Sequence, residues 1–412
     1  MVMKVSEKKI VKNTLMLYLL NIAKIVFPLV TLPYLTRVLS VETYGVVAYV
    51  KAFMQYMQLT VDFGFMLSGT KDIVLVLGEQ DKINREIGNI FIARLILCGF
   101  AFVVMMIAAI FIPILGRNLL YTVLSYVTVF LTIFLMDFYF RGIEKMEIIT
   151  IRFVIMRGVA ALLTFVFVKS DADILWIPIL NILGSLLAIV LVWIQLQKLS
   201  VKISPQGLTP ALHKLKESFV YFASNMATTA FSALNTLLIG IFIDPVNVSY
   251  WSVCMQMTGA VQAFYTPITA GIYPQMVLTK KRSIITKAVK IFLPIIALGC
   301  IFTFFVAEEA LLIVGGPKYT DAAYLLRLLI PVMFFGFIAM IYGWPTLGAI
   351  NKQKQVTLTT VMSAVFQVLV LVILIIFGCF NLISVAIVRC LTEVLLFTTR
   401  FSVYWKNRHE FV

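Results

Sequence analysis

The chain has 412 residues, 61% of them hydrophobic and only 13% charged, with a formal net charge of +15 and a mean hydropathy of +1.01. Such values exclude a soluble globular domain and indicate an integral membrane protein. Apolar segments matching the ~20 residues a helix needs to cross the hydrocarbon core recur along the whole length, and no strictly alternating strands suggest a β-barrel.

We expect an all-α membrane protein with twelve transmembrane helices, at 11–36, 44–68, 88–112, 119–140, 148–168, 174–197, 218–243, 249–277, 288–314, 324–349, 356–378 and 381–404. The first follows Lys4, Lys8, Lys9 and Lys12 without a small-residue cleavage site, and reads as an uncleaved span. Asn21, Lys24, Pro28 and Thr31 share one of its faces. Lys24 falls near the expected midplane, too deep to snorkel easily, so a lined cavity or an acidic partner is required. Pro28 and Pro33 are hinge candidates, because each removes a helix hydrogen bond.

The second segment carries Lys51, Gln55, Gln58 and Asp62 at spacings of four, three and four, a single polar stripe on an otherwise apolar helix. A charge at the bilayer centre costs roughly 2.5–3.5 kcal/mol even on the lenient insertion scale, so the stripe needs water, a polar ligand or a partner. Arg94, Asp137 and Arg157 follow in the third, fourth and fifth segments. Four cations (Lys24, Lys51, Arg94, Arg157) then face two acids (Asp62, Asp137). The bland alternative is salt bridging between helices; the surplus of positive charge points instead to an anionic ligand. Asp62, Asp137 and Glu393 are the candidates for ion coupling.

The connection at 198–217 contains Thr209, Pro210, Leu212 and Leu215, with Phe219 just beyond it, a pattern for a short interfacial helix. It divides the chain into six-helix bundles at 1–197 and 218–412, whose like orientation would make them parallel repeats. The seventh segment has a polar face at Asn225, Thr228, Ser232 and Asn235, while Arg389 and Glu393, four apart, read as a self-neutralising pair in the twelfth. Most of the binding chemistry is therefore expected in the first half.

Taking loops alternately, 24 of the 34 Lys and Arg fall on one side and 4 on the other. The positive-inside rule then places both termini in the cytoplasm and makes the net charge a matter of topology rather than of nucleic-acid binding. His213 and His409 lie in expected cytoplasmic segments, away from the buried charges, and the five cysteines lack CxxC spacing, so no metal, cofactor, disulfide or catalytic histidine is expected. Asp62-Phe63-Gly64 matches a kinase tripeptide without the accompanying loops, and Gly315-Gly316-Pro317-Lys318 lacks Walker spacing. An enzyme is not expected, and any transport would be passive or ion-coupled.

Several strings in order resemble the polysaccharide repeat-unit flippases of the Wzx type, in the superfamily that also holds multidrug and toxin extruders (MATE-like) and lipid II flippases. They are Pro28-Leu-Val-Thr-Leu-Pro33-Tyr34-Leu-Thr-Arg37, Val61-Asp62-Phe63-Gly64-Phe65, Phe140-Arg141-Gly142-Ile-Glu144-Lys145-Met146, Tyr273-Pro274 and Gly316-Pro-Lys318-Tyr319. The resemblance implies translocation of an undecaprenyl-pyrophosphate-linked oligosaccharide between leaflets of the bacterial inner membrane by alternating access, with H+ or Na+ as the coupling ion. It further implies membrane lipids, a polysaccharide polymerase and chain-length machinery as partners. Gln256 and Gly259 stand where that family frequently has Lys and Arg, which again moves the weight to the first half. The competing readings are a cation-coupled multidrug exporter, disfavoured by surplus buried bases, and a membrane glycosyltransferase or polymerase, disfavoured by the short loops.

The topology is testable with single cysteines. Labels at Lys8→Cys, Gly207→Cys and Asn407→Cys should react only from the cytoplasm and one at Asp171→Cys only from the periplasm; periplasmic labelling at 207 would refute the arrangement.

Overall fold

The computed structural model describes residues 7–412, with side chains from Lys12 onward except at 224, 227, 228 and 230–232. Lys4, and the side chains of Lys8, Lys9, Thr228 and Ser232, lie outside the described residues. The chain forms two compact units, residues 1–226 and 227–412.

Unit 1 contains α1 (Glu7–Val38), α2 (Val41–Asp62), α3 (Phe65–Leu75), α4 (Gln80–Phe111), α5 (Pro113–Arg117), α6 (Leu119–Leu131), α7 (Asp137–Gly142), α8 (Met146–Phe167) and α9 (Trp176–Lys198). The long α10 (Leu208–Phe242) holds the boundary between the units, which therefore lies inside a helix and outside the 198–217 connection. The expected interfacial helix is continuous with the seventh segment, since nothing between Leu208 and Phe242 breaks the helix. Unit 2 continues with α11 (Pro245–Ala263), α12 (Tyr265–Thr279), α13 (Arg282–Phe305), α14 (Ala307–Gly315), α15 (Ala323–Leu328), α16 (Ile330–Ile341), α17 (Trp344–Leu347), α18 (Gln353–Ile376) and α19 (Leu382–Lys406).

Among the described residues, nine helices are long and apolar enough to cross a membrane. The expected segments at 44–68, 218–243 and 249–277 are helical but outside that set. Two of them are broken: α2 stops at Asp62 and α3 restarts at Phe65, while α11 and α12 meet at Phe264. In the first, Phe63 and Gly64 both adopt left-handed conformations, with φ of 40° and 83°. The Phe63 ring stacks on Phe222 of α10 at 4.5 Å. A Cβ on Gly64 would stand 2.5 Å from Cβ of Tyr221, so only glycine supplies both the backbone angle and the close approach. The fourth segment breaks as well, through a 3₁₀ turn at Thr132–Leu135 and a left-handed Met136 immediately before Asp137.

By contrast, α1 runs for 32 residues through both Pro28 and Pro33. Membrane helices tolerate proline because neighbouring groups re-satisfy the freed backbone. The hydroxyl of Tyr34 ties the end of α1 to α8 by donating to the carbonyls of Phe165 and Val168, at 3.0 and 2.7 Å.

α8 packs between α1 and α9, and α2 packs on α4 and α6. Ile73, Ile87, Ile90, Phe138 and Phe140 form the dry centre that α3, α4 and α7 share. The non-helical residues 199–207 lie along the start of α4, where Asn84 Oδ1 accepts from the Lys202 amide at 2.9 Å and Asn89 Oδ1 from the Gln206 amide at 3.1 Å. Gly88 sits between these asparagines, with its missing Cβ 2.5 Å from the Pro205 nitrogen. Lys214 then anchors α10 by pairing with Asp72 of α3 and Glu86 of α4, both at 2.8 Å. Burial opposes its charge, but the two carboxylates outweigh burial and hold its ammonium above the ordinary lysine value.

The Phe63-Gly64 break gives a paired test. Gly64→Ala adds both left-handed strain and a clash with Tyr221, together about 2–4 kcal/mol. Gly78→Ala has the same sign of φ (+95°) but nothing within 4 Å. In detergent, thermal unfolding should fall by several degrees for Gly64→Ala and by distinctly less for Gly78→Ala; equal shifts would mean that close packing against α10 is unimportant.

Candidate functional site

The two helix breaks in unit 1 determine where its acids sit. Asp62 is the last residue of α2 and Asp137 the first of α7. Each meets an arginine carried on an unbroken helix. Arg94 of α4, itself buried, reaches Asp62 Oδ1 at 2.6 Å. Arg152 of α8, also buried, grips Asp137 with two hydrogen bonds, Nε to Oδ1 at 2.8 Å and Nη2 to Oδ2. Gln58 completes the first cluster by donating to Asp62 Oδ2 at 2.9 Å and to Thr132 Oγ1 at 3.0 Å.

This arrangement revises the charge count made from the sequence. Arg94 is neutralised by Asp62 inside the protein, and Arg152, which the four-cation count omits although the expected segment at 148–168 contains it, lies within α8 and takes Asp137. Three cations remain. Lys24, Lys51 and Arg157 are all exposed, and no ion pair holds any of them among the described residues. Lys51 lies within electrostatic reach of Arg157, and protein atoms crowd both although their side chains stay accessible. Such a pair of like charges is stable only if water or an anion screens it. Arg157 donates to Asn181 Oδ1 at 2.9 Å, and Asn181 is oriented for this because its own amide donates to the Ile177 carbonyl at 2.8 Å. Lys24 stands over the Phe153 ring at 6.0 Å, within electrostatic reach of Asp137, Arg141 and Arg152.

Asn21 and Gln55 are exposed on α1 and α2, one turn from Lys24 and Lys51 respectively, whereas Gln58 is committed to the Asp62 cluster. Unit 1 therefore presents accessible cations flanked by amides, with its acids already neutralised. Sequence reasoning missed Arg152, Thr132 and Asn181. Only Arg152 left a sequence signal, fifteen residues after Asp137 within an otherwise apolar stretch.

Unit 2 behaves differently. Glu393 pairs with Arg389 at 2.7 Å, both side chains being more than nine-tenths buried. A cavity of about 150 Å³ borders this pair, lined by Gln262, Tyr265, Gly336, Met340 and Arg400. Arg400, inside α19, donates to the Ala339 carbonyl at 2.7 Å. Among the described residues no group of three or more His, Cys, Asp or Glu could hold a metal ion.

Residues 10–280 match the family model described as polysaccharide biosynthesis protein. The chain belongs to that family. The new member is 24% identical over 377 residues to a protein of Escherichia coli strain K12 named "Putative O-antigen transporter", covering 87% of this chain and 88% of the relative. Its fold is similar to that of the lipid II flippase MurJ in an inward closed conformation, with a TM-score of 0.69, 13% identity, and 95% and 87% of the two chains covered. It is similar also to an inward-facing multidrug resistance MATE family transporter of the MOP superfamily, with a TM-score of 0.66, 14% identity, and 94% and 99% covered. This family member has the all-helical, MATE-like fold, and is a multi-pass protein of the bacterial inner membrane.

The Asp62–Arg94 pair can be separated from the accessible cations by stability. Asp62→Asn leaves a buried guanidinium without its counter-charge and should cost roughly 1–3 kcal/mol, reduced because the Asp62 carboxylate is 42% exposed. Adding Arg94→Gln to Asp62→Asn should recover part of that loss in a double-mutant cycle followed by thermal unfolding. Lys51→Gln and Arg157→Gln should leave unfolding nearly unchanged or raise its temperature, since each relieves like-charge repulsion.

Proposed function

We propose that this protein is a flippase that moves undecaprenyl-pyrophosphate-linked oligosaccharide repeat units from the cytoplasmic to the periplasmic leaflet by alternating access. The observation that carries the reading is the trio Lys24, Lys51 and Arg157, accessible and unpaired by acids while Asp62 and Asp137 are occupied by arginines. A pyrophosphate brings negative charge into a medium of low dielectric. At an effective dielectric of 20, one such charge gains about 4 kcal/mol from a cation 4 Å away. Cations on three helices distribute this attraction, so no single site traps the ligand. The exposed amides of Asn21 and Gln55 are suited to sugar hydroxyls or phosphate oxygens, while Asn181 positions Arg157. The family and its named O-antigen transporter relative support the same class of substrate.

In this reading the chain crosses the membrane twelve times with both termini in the cytoplasm, the broken segments α2–α3 and α11–α12 and the continuous α10 supplying the three crossings beyond the nine most apolar. Transport needs no bond-making step and so no enzyme chemistry. Coupling to H+ or Na+ falls to Asp62, Asp137 or Glu393, each of which would have to release its arginine during the cycle, with Pro28 and Pro33 as the places where α1 bends. Arg94 then acts as the switchable partner of Asp62, and substrate contact falls to the accessible trio. A multidrug exporter of this fold would instead expose unpaired acids to a cationic drug.

The test uses a strain lacking the chromosomal copy, with surface polysaccharide and membrane abundance measured together. Lys24→Gln, Lys51→Gln and Arg157→Gln should each reduce polysaccharide severalfold at wild-type abundance, and Lys51→Arg should retain part of the function. Wild-type polysaccharide in all three neutral variants would overturn the anionic substrate.

A further inference from the structure

Unit 2 carries an exposed apolar stripe and a basic turn that the transport reading does not use. Of the nine apolar spans, α13 has the smallest buried share, 11% of its most apolar window. Ile291, Ile295, Leu298 and Phe302, at helical spacings of four, three and four, are each between 58% and 66% exposed. They form one continuous apolar stripe. One turn before Ile291 the same stripe continues as Lys287, which is exposed, with exposed Lys290 beside it. Lys280, Lys281 and Arg282 precede them in the exposed turn that leads into the helix.

The C-terminal residues fold back onto this turn. The Arg282 amide donates to the Val412 carbonyl at 2.8 Å and the Val412 amide to the Lys280 carbonyl at 2.9 Å. This brings in Arg408, whose guanidinium lies 4.4 Å from the centre of the half-exposed Trp405 ring. The one acid in this segment, Glu410, is taken by Lys352 at 3.0 Å. Residues 279–290 contain no acid at all. An indole beside cations at the end of an apolar stripe is the arrangement that sits at a membrane interface.

We propose that this edge of unit 2 is a binding site for an anionic phospholipid, with its phosphate held by Lys287, Lys290 and the Lys280–Arg282 turn and its acyl chains laid along the α13 stripe. General charge asymmetry would scatter cations over all the loops of one side. Here they continue the register of the apolar span with the smallest buried share, and the fold-back adds a guanidinium and an indole from about 120 residues further along the chain. The cations are spread along an edge, which fits singly charged phosphodiester headgroups better than one concentrated pyrophosphate. The site is independent of the transport reading.

Purified full-length protein, equilibrated with vesicles of equal phosphatidylglycerol and phosphatidylcholine, is extracted gently and its retained lipid counted by native mass spectrometry. Phosphatidylglycerol should be retained in preference to phosphatidylcholine. Replacing Lys280, Lys281, Lys287 and Lys290 together by Gln should lower that retention about tenfold or more, and replacing them by Arg should preserve it. Should the fourfold Gln variant fail to fold, Lys287→Gln alone should lower retention by about fivefold. Equal retention of both phospholipids, or undiminished phosphatidylglycerol in the Gln variants, would overturn the proposal. So would complete displacement of phosphatidylglycerol by equimolar undecaprenyl phosphate, which would make this an isoprenoid site.

Discussion

A charged group within the hydrocarbon layer must be neutralised, hydrated or ligated, and unit 1 follows from how that constraint is met. Its two embedded acids each have an arginine within hydrogen-bond reach, Asp62 with Arg94 and Asp137 with Arg152. Each pair removes one charge of either sign from the electrostatic problem. What remains is uniformly positive: Lys24, Lys51 and Arg157 have no acid left to bind, and structure can tolerate them only where water or an anion reaches them. The three accessible cations are therefore what the pairing leaves over, and a change at either pair would alter that balance.

The pairs depend in turn on broken helices. A continuous second span would carry Asp62 onward around the helix, whereas the left-handed Phe63 and Gly64 end α2 at that residue and leave its carboxylate at the tip. Met136 does the equivalent on the opposite side of Asp137. The straight helices α4 and α8 then bring arginines to fixed positions beside these tips. Backbone strain at the breaks is offset by packing: Phe63 stacks on Phe222, and Gly69 and Gly142 let α3 and α7 lie against each other with no room for a further methyl group. A break of this kind is also a natural place for a helix to change direction during a transport cycle.

The units differ in how they treat charge. In unit 2, Arg389 and Glu393 neutralise each other along one helix, and Arg400 spends its donors on the Ala339 carbonyl and the Thr360 hydroxyl. Its most clustered exposed cations are Lys280, Lys281, Arg282, Lys287 and Lys290, around the start of α13. Acid-free accessible cations thus lie within the apolar helices of unit 1, whereas in unit 2 they cluster where α13 begins, even though both units are built from similar apolar helices.

Composition and apolar segment lengths determined the membrane class and the helical fold, because the bilayer leaves few alternatives to a hydrogen-bonded helix. The stripe Lys51, Gln55, Gln58 and Asp62 and the i,i+4 pair Arg389–Glu393 were legible for the same reason: both are matters of helical period. The family strings were legible as well, including Val61-Asp62-Phe63-Gly64-Phe65, although the sequence did not reveal that this string is a helix break. Only the tertiary structure decided which cations are free. Arg94 and Asp62 are 32 residues apart, Arg152 and Asp137 15, and Arg157 and Asn181 24, separations over which helical periodicity says nothing about contact. Periodicity fixes the face a residue occupies on its own helix, whereas the partner it meets is set by where helices break and pack, and that choice separated the structural arginines from the accessible cations.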